Sequence, residues 1–225
     1  MDLLDALRTT GAVRDFLPNP VSDETVHRIL ETARFAPSGG NRQGWHVIVV
    51  RDPEIRGQVR DLYLNGWHLY LAMREAGLVP WAPITDRAAE ERAIAAATRR
   101  DPGRFAEHLD EVPVMLVLVV DLRCLAAVDR DLPRYTFAGG ASVYPFAWNL
   151  LLAAREEGLA GVITTMAIRE EAAMKEVLGV PDELAIAGLI ALGRPVKQPR
   201  RLTRLPVESF TTVDRFSGPV FSLSG

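Results

Sequence analysis

The stretch Ser38-Gly39-Gly40-Asn41-Arg42-Gln43 carries the residue types best suited to holding a ligand. Gly39 and Gly40 permit positive φ, so successive backbone amides can turn toward one point. A concavity of that kind suits an anion or the polar edge of a ring. Ser38, Asn41 and Gln43 add side-chain donors and acceptors around it. The same residues also suit a plain helix-to-strand turn. A second candidate is the cluster Arg194, Lys197, Arg200, Arg201 and Arg204, which no acidic residue interrupts. It reads either as a solvated basic turn or as a phosphate clamp. A third is the aromatic stripe Tyr63, Trp67 and Tyr70, with Trp81 beyond it, as the lid of a substrate pocket or as ordinary helix packing.

Other chemistries find no support. No Gly-x-Gly-x-x-Gly follows an expected strand, and there is neither a P-loop nor a Gly-x-Ser-x-Gly elbow. The four histidines, His27, His46, His68 and His108, lack metal-ligand spacing. The single cysteine, Cys124, has no evident base and reads as inert. Acid–base machinery is inconspicuous, which fits a cofactor that carries the reaction while the protein supplies position and electrostatics. The net charge of −3 provides no overall field for nucleic acid. No apolar run is long enough for a membrane helix, and the first residues lack a secretory pattern, so the cytoplasm is the expected location.

The elements that must position these residues follow from periodicity. A short helix at 2–9 leads through an extended connector containing Arg14 to a helix at 23–35, with Ser22 as its N-cap. Pro37 stops that helix ahead of the Ser38 loop. A strand at 45–50 follows, then a helix from Pro53 to Glu75 with proline in its first turn. Residues 81–110 are charged and alanine-rich, helical over 86–99, and read as an excursion from the core. The run 114–120 is a strand buried on both faces. A polar connection at 122–138 precedes an apolar helix at 141–156. Then come a strand at 159–165, a helix at 167–178 capped by Thr165, and a last strand at 184–192. Residues 194–225 form an extended arm. With 225 residues, 48% of them hydrophobic, the chain reads as one domain, α/β or α+β around one sheet.

Taken in order, these pieces resemble the FMN-dependent nitroreductase family. The carriers are Val13-Arg14-x-Phe16 before Pro20-Val21, and Ala36-Pro37-Ser38-Gly39-Gly40-Asn41-x-Gln43-x-Trp45. Trp148-Asn149-Leu150-Leu151-Leu152-Ala153-Ala154 follows, then the strand at 158–165, and Leu192-Gly193-Arg194-Pro195 leading to Arg204-Leu205-Pro206-Val207-Glu208. The resemblance implies an α+β fold with a central mixed β-sheet flanked by helices. It also implies a homodimer with an exchanged C-terminal arm and FMN held between subunits. By position, Arg14 would face the flavin pyrimidine edge or ribityl chain. Ser38, Gly39, Asn41 and Gln43 would reach the flavin from the other subunit. Ile163, Thr164 and Thr165 would lie near N5, and Arg204 with Arg201 would bind the phosphate.

The implied activity is ping-pong reduction of nitroaromatics, quinones or other electron-poor small molecules by NADH or NADPH. The alternatives are a flavoprotein dehydrogenase or dehalogenase acting on one metabolite, and a flavin-sequestering protein with little turnover. One departure bears on cofactor affinity. Many members carry Arg-x-Ser-x-Arg, whose first arginine and serine help hold the phosphate; here Thr10 and Ala12 stand in those places. Each charged hydrogen bond so lost is worth roughly 1.5–3 kcal/mol.

Overall fold

Val114–Asp121 is buried along its whole length, and its two faces pack against different helices. Val114, Leu116, Leu118 and Val120 meet Val26 and Ile29 of one helix and Phe146, Leu150 and Ala154 of another. Met115, Val117 and Val119 meet Val59, Tyr63, Leu109 and Met174 on the opposite side. Side chains alternate across a strand, so a continuous run of β-branched and large aliphatic residues demands a cover on each face. The result is a helix–sheet–helix sandwich.

The computed structural model describes residues 1–98 and 101–222. Its helices are α1 (Leu3–Thr9), α2 (Asp23–Ala33), α3 (Pro53–Glu75), α4 (Arg87–Ala95), α5 (Arg104–Glu107), α6 (Tyr144–Glu156) and α7 (Glu171–Leu178). The strands are β1 (Trp45–Val50), β2 (Val114–Asp121), β3 (Ala160–Thr164) and β4 (Leu184–Gly193), in the order β1-β2-β4-β3. The expected helix end at Arg99 lies outside the described residues. Ser22 caps α2 through Thr25 N (3.3 Å), and Asp52 caps α3 through Glu54 N (2.9 Å) and Ile55 N (3.0 Å).

Four expectations are corrected. The sheet was expected to be mixed, but each strand pairing is antiparallel. The strands that run the same way, β2 and β3, are joined through α6 and held apart by β4. In β4, Ala187 is an extra residue against β2, between the Leu118–Gly188 and Val119–Ile186 pairs. This bulge switches which face later residues occupy: Ile186 lies on the α3 side, Ile190 and Leu192 on the α6 side.

The helix expected at 141–156 begins only at Tyr144, after a 3-10 turn at Ala138–Ser142, because Pro145 fits a helix's first turn and not its interior. Thr165 makes no side-chain cap, and Met166–Glu170 is a 3-10 turn before α7. That turn is pressed against α3 at Gly66, where any Cβ would collide with the Met166 carbonyl oxygen. Finally, the excursion is only partial. Ala106, Leu109 and Val112 are core residues, and the Arg56 guanidinium ties this segment down by donating to Asp110 O (2.7 Å), Val50 O (3.1 Å) and Val112 O.

Gly66→Ala should destabilise the fold by about 1–3 kcal/mol, because backbone and not a flexible side chain blocks the added methyl. A urea melt showing an unchanged midpoint would contradict this packing.

Candidate functional site

The Ser38 loop is a closed hydrogen-bonded knot. Gly39 N donates to Ser142 Oγ (3.0 Å), Asn41 N to Ser38 O (2.9 Å) and Arg42 N to Gly39 O (3.4 Å). Gln43 N donates to Ser38 Oγ (3.0 Å). The expected concavity of free amides is therefore corrected: these four donors are taken up, three within the loop and Gly39 N by Ser142. What the loop offers outward is side chains: Asn41, Arg42 and Gln43 are exposed. Asn41 and Gln43 also sit at φ 52° and 51°, a left-handed conformation unusual for a glutamine, beside Gly40 at 61°. Strain of that kind persists where surroundings enforce it and clusters at ligand sites.

The segment after β2 is the wall behind this loop. Gly44 is buried so tightly that a Cβ there would stand 2.5 Å from Cys124 Cβ, and its carbonyl accepts from Asp121 N at 2.8 Å. Arg42 Nη1 reaches Cys124 O (3.4 Å). Asp129, 3% exposed, organises the rest of the connection. It accepts from Thr136 Oγ1 (2.6 Å), Phe137 N (2.9 Å), Ala138 N and Arg134 Nη1 (2.9 Å). The Thr136 and Phe137 donors hold its carboxyl far below the ordinary carboxylate range. Arg123, bound at 2.7 Å, lowers Asp121 to about 2. Neither Ser142 nor Asp129 was among the expected site residues. Their partners lie 103 and 5 to 9 positions away, and no local pattern marks either.

At the other edge of the sheet, the connector joins β3. Val13 N donates to Gly161 O (2.9 Å), which brings Arg14 to the strand that ends at Thr164. Arg14 is exposed and makes no ion pair among the described residues. It lines a small cleft of about 170 Å³ with Phe16, Phe105 and His108. Tyr63, 2% exposed, lies beneath: burial pushes its phenol upward, against the Thr164 hydrogen bond and the Arg14 charge. Tyr63 is thus core, not a lid residue.

From Tyr63 a stacked row runs outward through Trp67 (6.0 Å) and Tyr70 (5.0 Å beyond) to Trp81 (6.4 Å beyond). Trp67 Nε1 donates to Pro102 O (2.7 Å), which pins the excursion to α3. Ile163 is half-buried, Thr165 is exposed, and Arg201 and Arg204 are exposed on the arm.

Arg14, Tyr63 and Thr164 are therefore brought together, and the Ser38 loop is not brought to them. β1 and β3 are opposite edges, three strand spacings or about 14 Å apart. A cavity of about 640 Å³ between α3 and α7 is lined by none of the expected site residues.

The description "Nitroreductase family" matches residues 7–194 of this chain. The chain belongs to the nitroreductase family. It is an oxidoreductase of that type. An NADH dehydrogenase of Thermus thermophilus is 29% identical over 92% of this chain and 94% of its own length. The fold matches an oxidized iodotyrosine deiodinase bound to FMN and 3-iodo-L-tyrosine: TM-score 0.67, 22% identity, 96% of this chain and 100% of that one. It also matches an NADPH:FMN oxidoreductase from Vibrio harveyi complexed with NAD+: TM-score 0.67, 20% identity, 95% of this chain and 77% of that one. No described helix of this family member is long and apolar enough to cross a membrane.

Asp121 gives a pH test. Its folded pKa lies below the ordinary value of 3.8, so the stability it adds is complete above about pH 5 and is lost as pH falls through about 2. The gap in Tm between wild type and Asp121→Asn should be constant near neutrality and close between about pH 4 and about pH 2. A gap independent of pH would remove the Arg123 pairing as its cause.

Proposed function

We propose that this nitroreductase-family protein is an FMN-dependent NAD(P)H oxidoreductase that reduces nitroaromatic, quinone or other electron-poor small molecules by ping-pong exchange. The observation that carries the reading is exposed Arg14, without an ion-pair partner among the described residues, on a connector hydrogen-bonded to β3 at Gly161 and near enough for its charge to act on the buried Tyr63 phenol. The residues fit the group. A guanidinium without a carboxylate is free to meet a ring edge that gathers negative charge. Thr164 and Thr165 offer hydroxyls and backbone beside it, and two arm arginines lack acidic partners among the described residues. When bound, FMN supplies the chemistry, taking two electrons from a nicotinamide and passing them to the acceptor.

Arg14 would hold the pyrimidine edge, Ile163, Thr164 and Thr165 would lie along the ring, and Arg201 and Arg204 would take the phosphate. Asn41 and Gln43, exposed on a strained loop at the far sheet edge, serve the flavin of a second copy. Separation of the half-sites supports a homodimer. So does the arm, where Leu205 (73% exposed), Phe210 (64%) and Phe216 (101%) present apolar surface to solvent. We place this dimer in the cytoplasm, with 1–225 as one domain and Trp67, Tyr70 and Trp81 on the substrate side.

Reductive dehalogenation is the second reading. It is favoured by the match to the deiodinase chain, which this one covers from end to end. Halide release in the acceptor assay separates the two.

Purified protein should be yellow with an FMN spectrum, and NADH or NADPH should bleach it under argon. A yellow protein that neither nucleotide bleaches would defeat the reductase assignment. Arg14→Ala should lower the flavin reduction potential by removing the charge that stabilises its anionic reduced form; an unshifted potential with FMN still bound would refute that contact.

A further inference from the structure

Beyond Gly193 the arm first folds back on the N-terminal connector. Leu17 N donates to Arg194 O (2.8 Å), Val196 N to Asp15 O (3.0 Å), and Gln198 Nε2 to Thr9 O (3.1 Å). Leu202 and Pro199 then lie over Gly11: a Cβ on that glycine would stand 2.8 Å from Leu202 Cδ2 and 3.5 Å from Pro199 Cγ. Gly11 is a seat shaped for Leu202.

The connector has little to offer an anion at this point. Thr10 is 6% exposed, and its hydroxyl is sealed from solvent without a hydrogen-bond partner. Ala12 carries no donor. The cations here stand on either side of the seated leucine. Arg201 is exposed, and Arg204 donates only to Thr203 O (2.8 Å); neither has an acidic partner among the described residues. After Leu202 nearly every described residue to 222 is exposed, so Leu202 is the last half-buried apolar side chain among the described residues of the arm.

We infer that discrimination for the flavin phosphate has moved in this chain from the connector to the arm. Leu202, seated on Gly11, is the positioning residue that aims Arg201 and Arg204 at that phosphate. The inference rests on the flavin reading above. It makes arm docking and phosphate binding one event. Two exposed guanidinium groups that meet a phosphate dianion gain charge-assisted hydrogen bonds, so anion binding favours the docked arm. Leu202 itself touches no cofactor atom, and its effect passes through the two arginines. Phosphate-free riboflavin should therefore occupy the ring site without engaging the arm.

The test is a fluorescence titration of the full chain with FMN and with riboflavin, run on wild type, Leu202→Ala, Leu202→Met and Gln198→Ala. Leu202→Ala should weaken FMN about tenfold to hundredfold and riboflavin less than about twofold. Leu202→Met should restore most of the difference, and Gln198→Ala should move the FMN-to-riboflavin ratio in the same direction. In limited trypsinolysis, FMN should protect the bonds after Arg201 and Arg204, and riboflavin should not. Equal weakening of both flavins by Leu202→Ala would assign the leucine a merely structural role and overturn the inference. Equal wild-type affinity for the two flavins would also overturn it, because the phosphate would then go unread. Failure to bind either flavin would remove the flavin reading as well. FMN binding with an unaltered ratio across the variants would remove this inference alone.

Discussion

Burial of β2 on both faces is the constraint on which the rest depends. A strand whose alternate residues are all apolar must be covered twice. The α2–α6 pair covers one side, and α3, α7 and the 104–112 segment cover the other. Each fully buried aliphatic side chain contributes about 1.5–3 kcal/mol relative to exposure. Helices on both faces leave polar residues only at the edges and ends of the sheet. Arg14, the Ser38 loop and Thr164 all lie there.

Strand order then decides what one chain can assemble. β4 comes between β2 and β3, and β1 stands outside β2, so the loop entering β1 and the turn leaving β3 are separated by the sheet's width. A binding site that uses both ends needs either a ligand of that span or a second copy. The homodimer proposed above takes the second course, and exposed Phe210 and Phe216 on the arm are apolar surface it would cover.

Polar groups near the site work mainly as scaffolding. Asp129 collects four donors and turns an irregular connection into a defined wall. Ser142 and Ser38 absorb amides that would otherwise face outward. Gly44 and Gly66 permit backbone approaches that no other residue allows, one behind the Ser38 loop and one behind the turn after Thr164. Both expected flavin-contacting segments are thus braced from behind by a glycine contact.

The elements were legible in the chain because they rest on local physics. Ser22 and Asp52 satisfy first-turn amides, Pro53 fits a first turn, and the Val114–Asp121 run can only be a strand covered on both faces. The family was also readable, since the order of its motifs along the chain is itself the signal. Tertiary structure alone decided the rest. Antiparallel pairing throughout depends on β4 entering between two strands that run alike. Tyr63 became core because Phe105 and Thr164 close over it. The Gly39 amide is taken up by Ser142, a partner 103 residues away. The division is physical: caps, prolines and periodicity act within a few residues, whereas contacts between distant segments exist only after both faces of β2 have been covered.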